Sequence, residues 1–304
     1  MVDRSMKGVM PILSTPFDEK GRVDVEDLER ETEWMIDCGV HGVGIAVASE
    51  VYKLTDAERD LVLDTVVKQA RGRIPVVMNT GAQGTDVAIY YSERAQERGA
   101  DALMIRPPTF TPVPAPEIEG YFLDIAKSVS IPIFMQDQST AQVPPGMAVK
   151  LAEKHENLCY VKVESPPTVP RMAEAASLRG GAADSSGLIL FGGAGGAFVL
   201  EEFRRGSVGT MPGATMPDMF VRVWNAWQAG EHQKAQQDFW RHAPLIRTLA
   251  QSQGIANWIY KEILVRRGVF KVAYARRPAV KPDKAQIEEV EEMLDELGLR
   301  GGKA

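Results

Sequence analysis

The run Leu158-Cys159-Tyr160-Val161-Lys162-Val163-Glu164 sets a lysine inside an apolar, β-branched stretch bounded by polar turns. Its length and composition are those of a buried strand. Burying an ammonium is costly, and the cost is commonly relieved by loss of the proton, which leaves a neutral amine. A desolvated amine can attack a ketone and form a Schiff base. The competing reading is an edge strand whose lysine reaches out to water. Side chains alternate along a strand, so Tyr160, Lys162 and Glu164 share one face. Glu164 is then a candidate base or electrostatic partner for Lys162; otherwise it caps the Ser165-Pro166-Pro167 turn.

Such a lysine needs a scaffold. Short apolar runs recur eight times: Val9–Leu13, Val43–Ala48, Val76–Asn79, Ala102–Ile105, Ile131–Met135, Leu158–Val163, Leu188–Phe191 and Val208–Met211. Amphipathic stretches separate them. Val25 to Cys38 follows Asp24 as N-cap and stops at Gly39, with Val25, Leu28, Met35 and Ile36 on one face. Thr55-Asp56-Ala57-Glu58 is a capping box ahead of Leu61, Val62 and Val66. Another helix starts near Thr85, and a fourth carries Ile118, Tyr121, Phe122, Ile125 and Val129. Strand–helix alternation implies a parallel sheet, here an α/β fold of the (β/α)8 TIM barrel class. An open doubly wound sheet is the alternative, but no phosphate-binding GxGxxG follows the first strand. After Asp218 the pattern turns helical: Phe220 to Ala229, His232 to Ala250, Ile255 to Arg267 and Lys284 to Leu297. The expected organisation is a barrel over residues 1–230 and a C-terminal helical extension over 231–304.

Barrel active sites lie at the carboxyl ends of the strands. The residues expected there are Ser49 and Glu50 after strand two, Thr80 and Gly81 after strand three, Gln136 and Asp137 after strand five, Gly192 and Gly193 after strand seven, and Gly213 after strand eight. Glu50 reads as a site carboxylate or as one bonded to loop backbone. Asp137 reads as a proton-transfer group or a turn-former. The run Gly192 to Gly196 suits a loop that brings backbone N–H groups close to a ligand.

Bulk properties narrow the function classes. The 304 residues are 44% hydrophobic and 25% charged, with net charge −6 and no long basic run, which argues against nucleic-acid and membrane partners. No apolar run approaches the roughly 18 residues that span a bilayer. The start of the chain lacks a signal-peptide stretch. Two cysteines, Cys38 and Cys159, fit a reducing, cytoplasmic setting. His41, His155, His232 and His242 have no metal-ligand spacing, so neither metal nor cofactor is expected.

These residues resemble the dihydrodipicolinate synthase/N-acetylneuraminate lyase superfamily, the class I Schiff-base lyases. The resemblance rests on Thr15-Pro16-Phe17, Gly44 through Glu50 with Leu54-Thr55 and Glu58-Arg59, Pro75 through Thr85, and the Lys162 strand. It covers about Gly8 to Pro278. It implies a barrel in which Lys162 forms the Schiff base with a small-molecule 2-keto acid, in a homo-oligomer that is a tetramer by analogy. Departures accompany it. The family's Gly-Thr-Thr-Gly-Glu reads Ala46-Val47-Ala48-Ser49-Glu50, its fifth-strand tyrosine is Met135, its carboxylate-holding arginine falls near Thr140, and Pro107-Pro108-Thr109 replace a tyrosine pair.

One branch, the 2-keto-3-deoxy-L-arabonate dehydratases, is more similar. The shared segments include Ala48-Ser49-Glu50, Gln136-Asp137, Tyr160 through Pro166, Gly209 through Asp218 and Gly268 through Pro278. An acidic seventh-strand loop of that branch is replaced by Gly192 to Gly196. The resemblance implies dehydration of a 2-keto-3-deoxy sugar acid, with 2-oxoglutarate semialdehyde as the five-carbon product. Catalytic candidates are Lys162, Glu164, Ser49 and Asp137; substrate contacts are Ser49, Glu50, Thr80, Gly81, Gln136, Gly192, Gly193 and Gly213. Two alternatives stay open: a pyruvate-dependent aldolase of the same superfamily, and a non-catalytic keto-acid-binding barrel.

Overall fold

The computed structural model describes residues 2–179 and 187–301. In chain order it contains β1 (Gly8–Val9), α1 (Val25–Asp37), β2 (Val43–Ile45), α2 (Asp56–Ala70), β3 (Val76–Asn79), α3 (Thr85–Glu97), β4 (Ala102–Ile105), α4 (Ala115–Ser128), β5 (Ile133–Asp137), α5 (Pro145–Lys154), β6 (Tyr160–Val163), α6 (Thr168–Leu178), β7 (Ile189–Gly192), α7 (Val199–Phe203), β8 (Gly209–Thr210), α8 (Pro217–Gln228), α9 (His232–Leu249), α10 (Gln253–Arg266) and α11 (Lys284–Leu297). By element order the fold is a (β/α)8 barrel with a C-terminal helical extension. No helix among the described residues is long and apolar enough to cross a membrane. The chain forms two compact units: Met1–Lys7 with Pro75–Met211, and Gly8–Ile74 with Pro212–Ala304.

The first unit is a parallel sheet from β3 to β8, each strand paired with the next. Every residue of these strands is buried, which is why they read as continuous apolar runs rather than alternations. β5 begins after Pro132 and runs to Asp137, two residues further than the expected Ile131–Met135. Gln136 and Asp137 therefore lie within the ladder. The register Phe134↔Tyr160 and Gln136↔Lys162 stacks one face in layers. Phe134 and Tyr160 stack at 4.4 Å, and Phe191 meets both edge-on. These three rings form an apolar floor next to the layer that holds Lys162.

In the second unit the local signals hold. Asp24 caps α1 by accepting from the Asp27 N–H, and Thr55 and Glu58 cap α2 reciprocally, each cap worth about 1 kcal/mol. Leu61 departs from the expected face: it is 41% exposed, whereas Val62, Leu63 and Val66 are buried. The first strand is shorter than the expected Val9–Leu13. Pro11 has no N–H for the ladder, and pairing resumes only as single bridges from Ile12 to Gly44 and Gly213. The second strand stops at Ile45, where the Ser49 hydroxyl takes the Ala46 N–H and two 3-10 turns follow, Val47–Ser49 and Val51–Lys53. The C-terminal helices α9 to α11 belong to this unit. Arg30 donates to the Val269 carbonyl, Asp27 accepts from the Lys271 N–H, and Arg276 pairs with Glu58.

Candidate active site

Lys162 is 3% exposed in the middle of β6. Its Nζ lies 3.0 Å from Glu164 Oε1, so alternation on the strand brings the two together as expected. The edge-strand reading fails, because β6 is flanked by β5 on one side and β7 on the other.

Glu164 is the hub of the site. Gln136 Nε2 donates to its Oε2 at 2.9 Å, Gln138 Nε2 reaches the same oxygen at 3.4 Å, and the Ala194 N–H donates to Oε1 at 3.1 Å. Gln136 is oriented in turn by Asn79, whose Nδ2 approaches its Oε1 at 3.5 Å. The carboxylate is thus fixed by neutral donors on three sides and faces a buried amine on the fourth. It is able to take a proton from Nζ and return it without moving.

The glycine run serves this carboxylate. A Cβ at Gly193 would lie 2.4 Å from Glu164 Cγ, so only glycine leaves room for the Glu164 side chain. The Ala194 N–H, expected to face a ligand, is spent on Glu164. Gly192 has the same function towards another acid. Its Cβ would fall 1.7 Å from Oε2 of Glu202 on α7. Glu202 is completely buried, and neither carboxyl oxygen makes a hydrogen bond of normal geometry among the described residues. Burial foremost, then the charge of Glu164, push its pKa up to about 8; the Gly193 N–H and Lys162 only temper this.

Asp137 is placed differently from Gln136. Neighbours on a strand point to opposite faces, and the Asp137 carboxylate lies on the face away from Lys162. Arg171 grips it with two bonds of 3.0 and 2.9 Å; Ser165 Oγ at 2.8 Å and the Val143 N–H at 2.9 Å complete its shell. With its oxygens taken in this way, Asp137 ties α6 and two loops to β5. Thr80 Oγ1 accepts from Ser92 Oγ at 2.9 Å, and Gly81 packs against the backbone of Arg106, where a Cβ would meet N at 2.9 Å and O at 3.0 Å.

Ser49, Glu50 and Gly213 belong to the second unit. Ser49 Oγ donates to the Leu13 carbonyl and accepts from the Ala46 N–H. Glu50, fully buried at φ +56°, accepts from Lys261 Nζ at 2.5 Å and Lys53 Nζ at 2.8 Å. The Lys261 ammonium also lies 4.3 Å from the centre of the Phe17 ring and donates to the Tyr274 carbonyl. Burial lowers the Lys261 pKa to about 8, against the opposing pull of Glu50. Gly213 leaves space for the Tyr260 ring, which a Cβ would meet at 2.8 Å.

Sequence reasoning missed Gln138, Asn79, Arg171 and Glu202. Gln138 was within reach of the argument, since it follows Gln136 by the strand period of two.

Three comparisons bear on this geometry. Residues 5–297 match the model of the dihydrodipicolinate synthetase family. The chain is 30% identical to the L-2-keto-3-deoxyarabonate dehydratase of Azospirillum brasilense, over 97% of this chain and 96% of that protein. It is 28% identical to the 4-hydroxy-tetrahydrodipicolinate synthase of Methanopyrus kandleri, over 95% and 94%. The crystal structure of dihydrodipicolinate synthase from Rhodopseudomonas palustris superposes with a TM-score of 0.88 at 26% identity, covering 95% of this chain and 97% of that one.

Proposed function

The chain belongs to the dihydrodipicolinate synthetase family, and from that premise we propose that it is a Schiff-base-forming lyase that dehydrates a 2-keto-3-deoxy sugar acid. The observation that carries the reading is the buried pair Lys162–Glu164, with Nζ 3.0 Å from a carboxylate held by Gln136 and the Ala194 N–H. The similarity to a 2-keto-3-deoxyarabonate dehydratase makes the five-carbon acid the first substrate to offer.

The steps follow from that pair. Glu164 takes a proton from Nζ, and the freed amine adds to the C2 ketone. A proton from the nitrogen and the one held by Glu164 pass to the C2 oxygen, which leaves as water and gives the iminium with Glu164 again a carboxylate. The iminium acidifies C3, and Glu164 removes a C3 proton to form the enamine. The enamine expels the C4 hydroxyl, which takes that proton and departs as water. Moving a proton from C5 to C3 leaves a C4–C5 enol, transfer of its hydroxyl proton to C4 gives the aldehyde, and hydrolysis of the iminium releases 2-oxoglutarate semialdehyde and Lys162. This sequence gives its proton steps to Glu164; Ser49 bonds the Leu13 carbonyl and the Ala46 N–H, and Asp137 bonds Arg171.

Borohydride trapping with intact-mass analysis tests the reading. Wild type incubated with pyruvate or with 2-keto-3-deoxy-L-arabonate should yield one reduced adduct, absent from Lys162→Ala. The mass formed with the sugar acid distinguishes loss of water from loss of a carbon fragment, and so a dehydratase from an aldolase. Glu164→Gln should lower kcat by about 10²-fold or more. No adduct with either ligand would overturn the Schiff-base mechanism.

A further inference from the structure

Glu202 and Glu164 press against consecutive residues at the end of β7. Glu202 enters where Gly192 has no side chain, and Glu164 where Gly193 has none. The turn Ala194–Gly196 follows at once, closed by the Gly196 N–H on the Gly193 carbonyl at 2.8 Å. Ala194 takes φ +47° there, a left-handed conformation that is costly for a residue with a Cβ. Its N–H is the donor to Glu164 at 3.1 Å. Only Ala197 and Phe198 separate this strained turn from α7, so the turn is tied to the helix that carries Glu202.

The slot at Gly192 suits a carboxylic acid and not its anion. Glu202 is fully buried, and neither oxygen makes a hydrogen bond of normal geometry among the described residues. Thr210 pairs with Gly192, so it faces the same side of the sheet, and its Oγ1 is buried and unpartnered in the same sense. The cations nearby are engaged or turned away. α7 packs against β7 and α6, and neither β7 nor β8 carries a charged side chain. On α6, Arg171 is bound to Asp137 and Glu174 is exposed; Arg179, just past it, donates to the Leu188 and Gly206 carbonyls. Beyond α7, Arg204 is exposed and Arg205 donates to the Glu201 carbonyl. The charges that act on Glu202 are Glu164 and Glu201, which oppose a further anion, and Lys162, which tempers them.

We propose that Glu202 is a positioning residue: its neutral carboxyl, seated in the Gly192 slot, latches α7 and the Ala194–Gly196 turn onto Glu164, and loss of its proton releases them. The proposal rests on Lys162 and Glu164 being the reacting pair. A buried carboxylate without donors is far costlier than the acid, so the ionised side chain leaves the slot for water. The turn then relaxes from its strained conformation. The Ala194 N–H withdraws from Glu164, which loses a donor that fixes it 3.0 Å from Nζ.

The test follows the rate at which saturating pyruvate gives borohydride-trapped adduct from pH 6 to pH 9. Near-UV circular dichroism and hydrogen exchange of residues 192–203 are recorded at each pH. In wild type the rate should fall about tenfold for each pH unit above 8, as one required proton is lost. Exchange in the segment, corrected for its intrinsic pH dependence, should rise over the same interval while the near-UV signal holds. Glu202→Gln cannot ionise and should show neither change. Glu201→Gln removes a charge that helps Glu202 keep its proton, so its fall should begin at lower pH; this variant carries the test if Glu202→Gln does not fold. Three results overturn the latch and leave the Schiff-base reading standing: no fall in wild type, a fall kept in Glu202→Gln or unshifted in Glu201→Gln, or a fall that accompanies loss of the near-UV signal. No wild-type adduct at pH 7 overturns both.

Discussion

Glu202 makes the stability of this protein depend on pH in a direction opposite to that of a salt-bridged carboxylate. Its pKa is about 8 in the folded chain and takes the ordinary value of 4.5 when unfolded. Between those values the folded state holds a proton that the unfolded state has lost. Stability then falls as pH rises, by about 1.4 kcal/mol per pH unit, and levels off above pH 8. Over the whole window the loss is about 5 kcal/mol, which is large beside the total stability of a typical domain. Glu202→Gln is the matching perturbation, since it keeps the shape and cannot ionise. Its amide hydrogens also need partners, which costs about 1–3 kcal/mol, but that offset does not change with pH. Urea unfolding of both proteins at pH 5, 6, 7 and 8 separates the two effects. The variant should gain on wild type steadily across the series and overtake it by pH 8. Parallel midpoints at all four values would refute the reasoning, and would mean that Glu202 is solvated or partnered in solution.

Two further perturbations test the polar clusters. Asp137→Ala strips the carboxylate from Arg171 and leaves a mostly buried guanidinium unpaired, so the urea midpoint should drop by the equivalent of about 3–5 kcal/mol while the pyruvate adduct on Lys162 still forms. Loss of the adduct in a folded variant would return Asp137 to the chemistry. Lys261→Met removes one of the two ammonium groups on buried Glu50 and should cost about 3 kcal/mol. Adding Glu50→Gln to it should recover little of that loss, because Lys53 then loses its carboxylate partner in turn.

How much of this was legible in the sequence depends on what positioned each residue. The strand period of two gave the Lys162–Glu164 pair, because both lie on one short ladder and no distant element has to be located first. Caps gave α1 and α2 for the same reason: Asp24, Thr55 and Glu58 satisfy backbone groups of their own helices. The misplacements arose where one local signal overrode another. Pro11 interrupts the first strand, and Pro132 delays the fifth, which moves Gln136 and Asp137 from its end into the ladder. Once both are in the strand they cannot share a face. Gln136 turns to Glu164 and Asp137 turns to Arg171. Reading the pair together as site residues ignored that constraint.

The glycines show a deeper limit. In the sequence alone, Gly192 and Gly193 read as room for a ligand's approach to the backbone. The room is real, but side chains of this same chain occupy it: Glu202 against Gly192 and Glu164 against Gly193. A missing Cβ marks a close approach without saying what approaches. Glu202 lies on a short helix ten residues past Gly192, and no periodicity links the two. Only the fold turns α7 back onto the end of β7. There, two carboxyl groups press against consecutive glycines. Among the described residues Glu164 is anchored by four donors and Glu202 by none of normal geometry. That asymmetry divides the two acids. The hydrogen-bonded one is placed to trade protons with Lys162, while the desolvated one keeps its proton at neutral pH and so spares its neighbour a second negative charge.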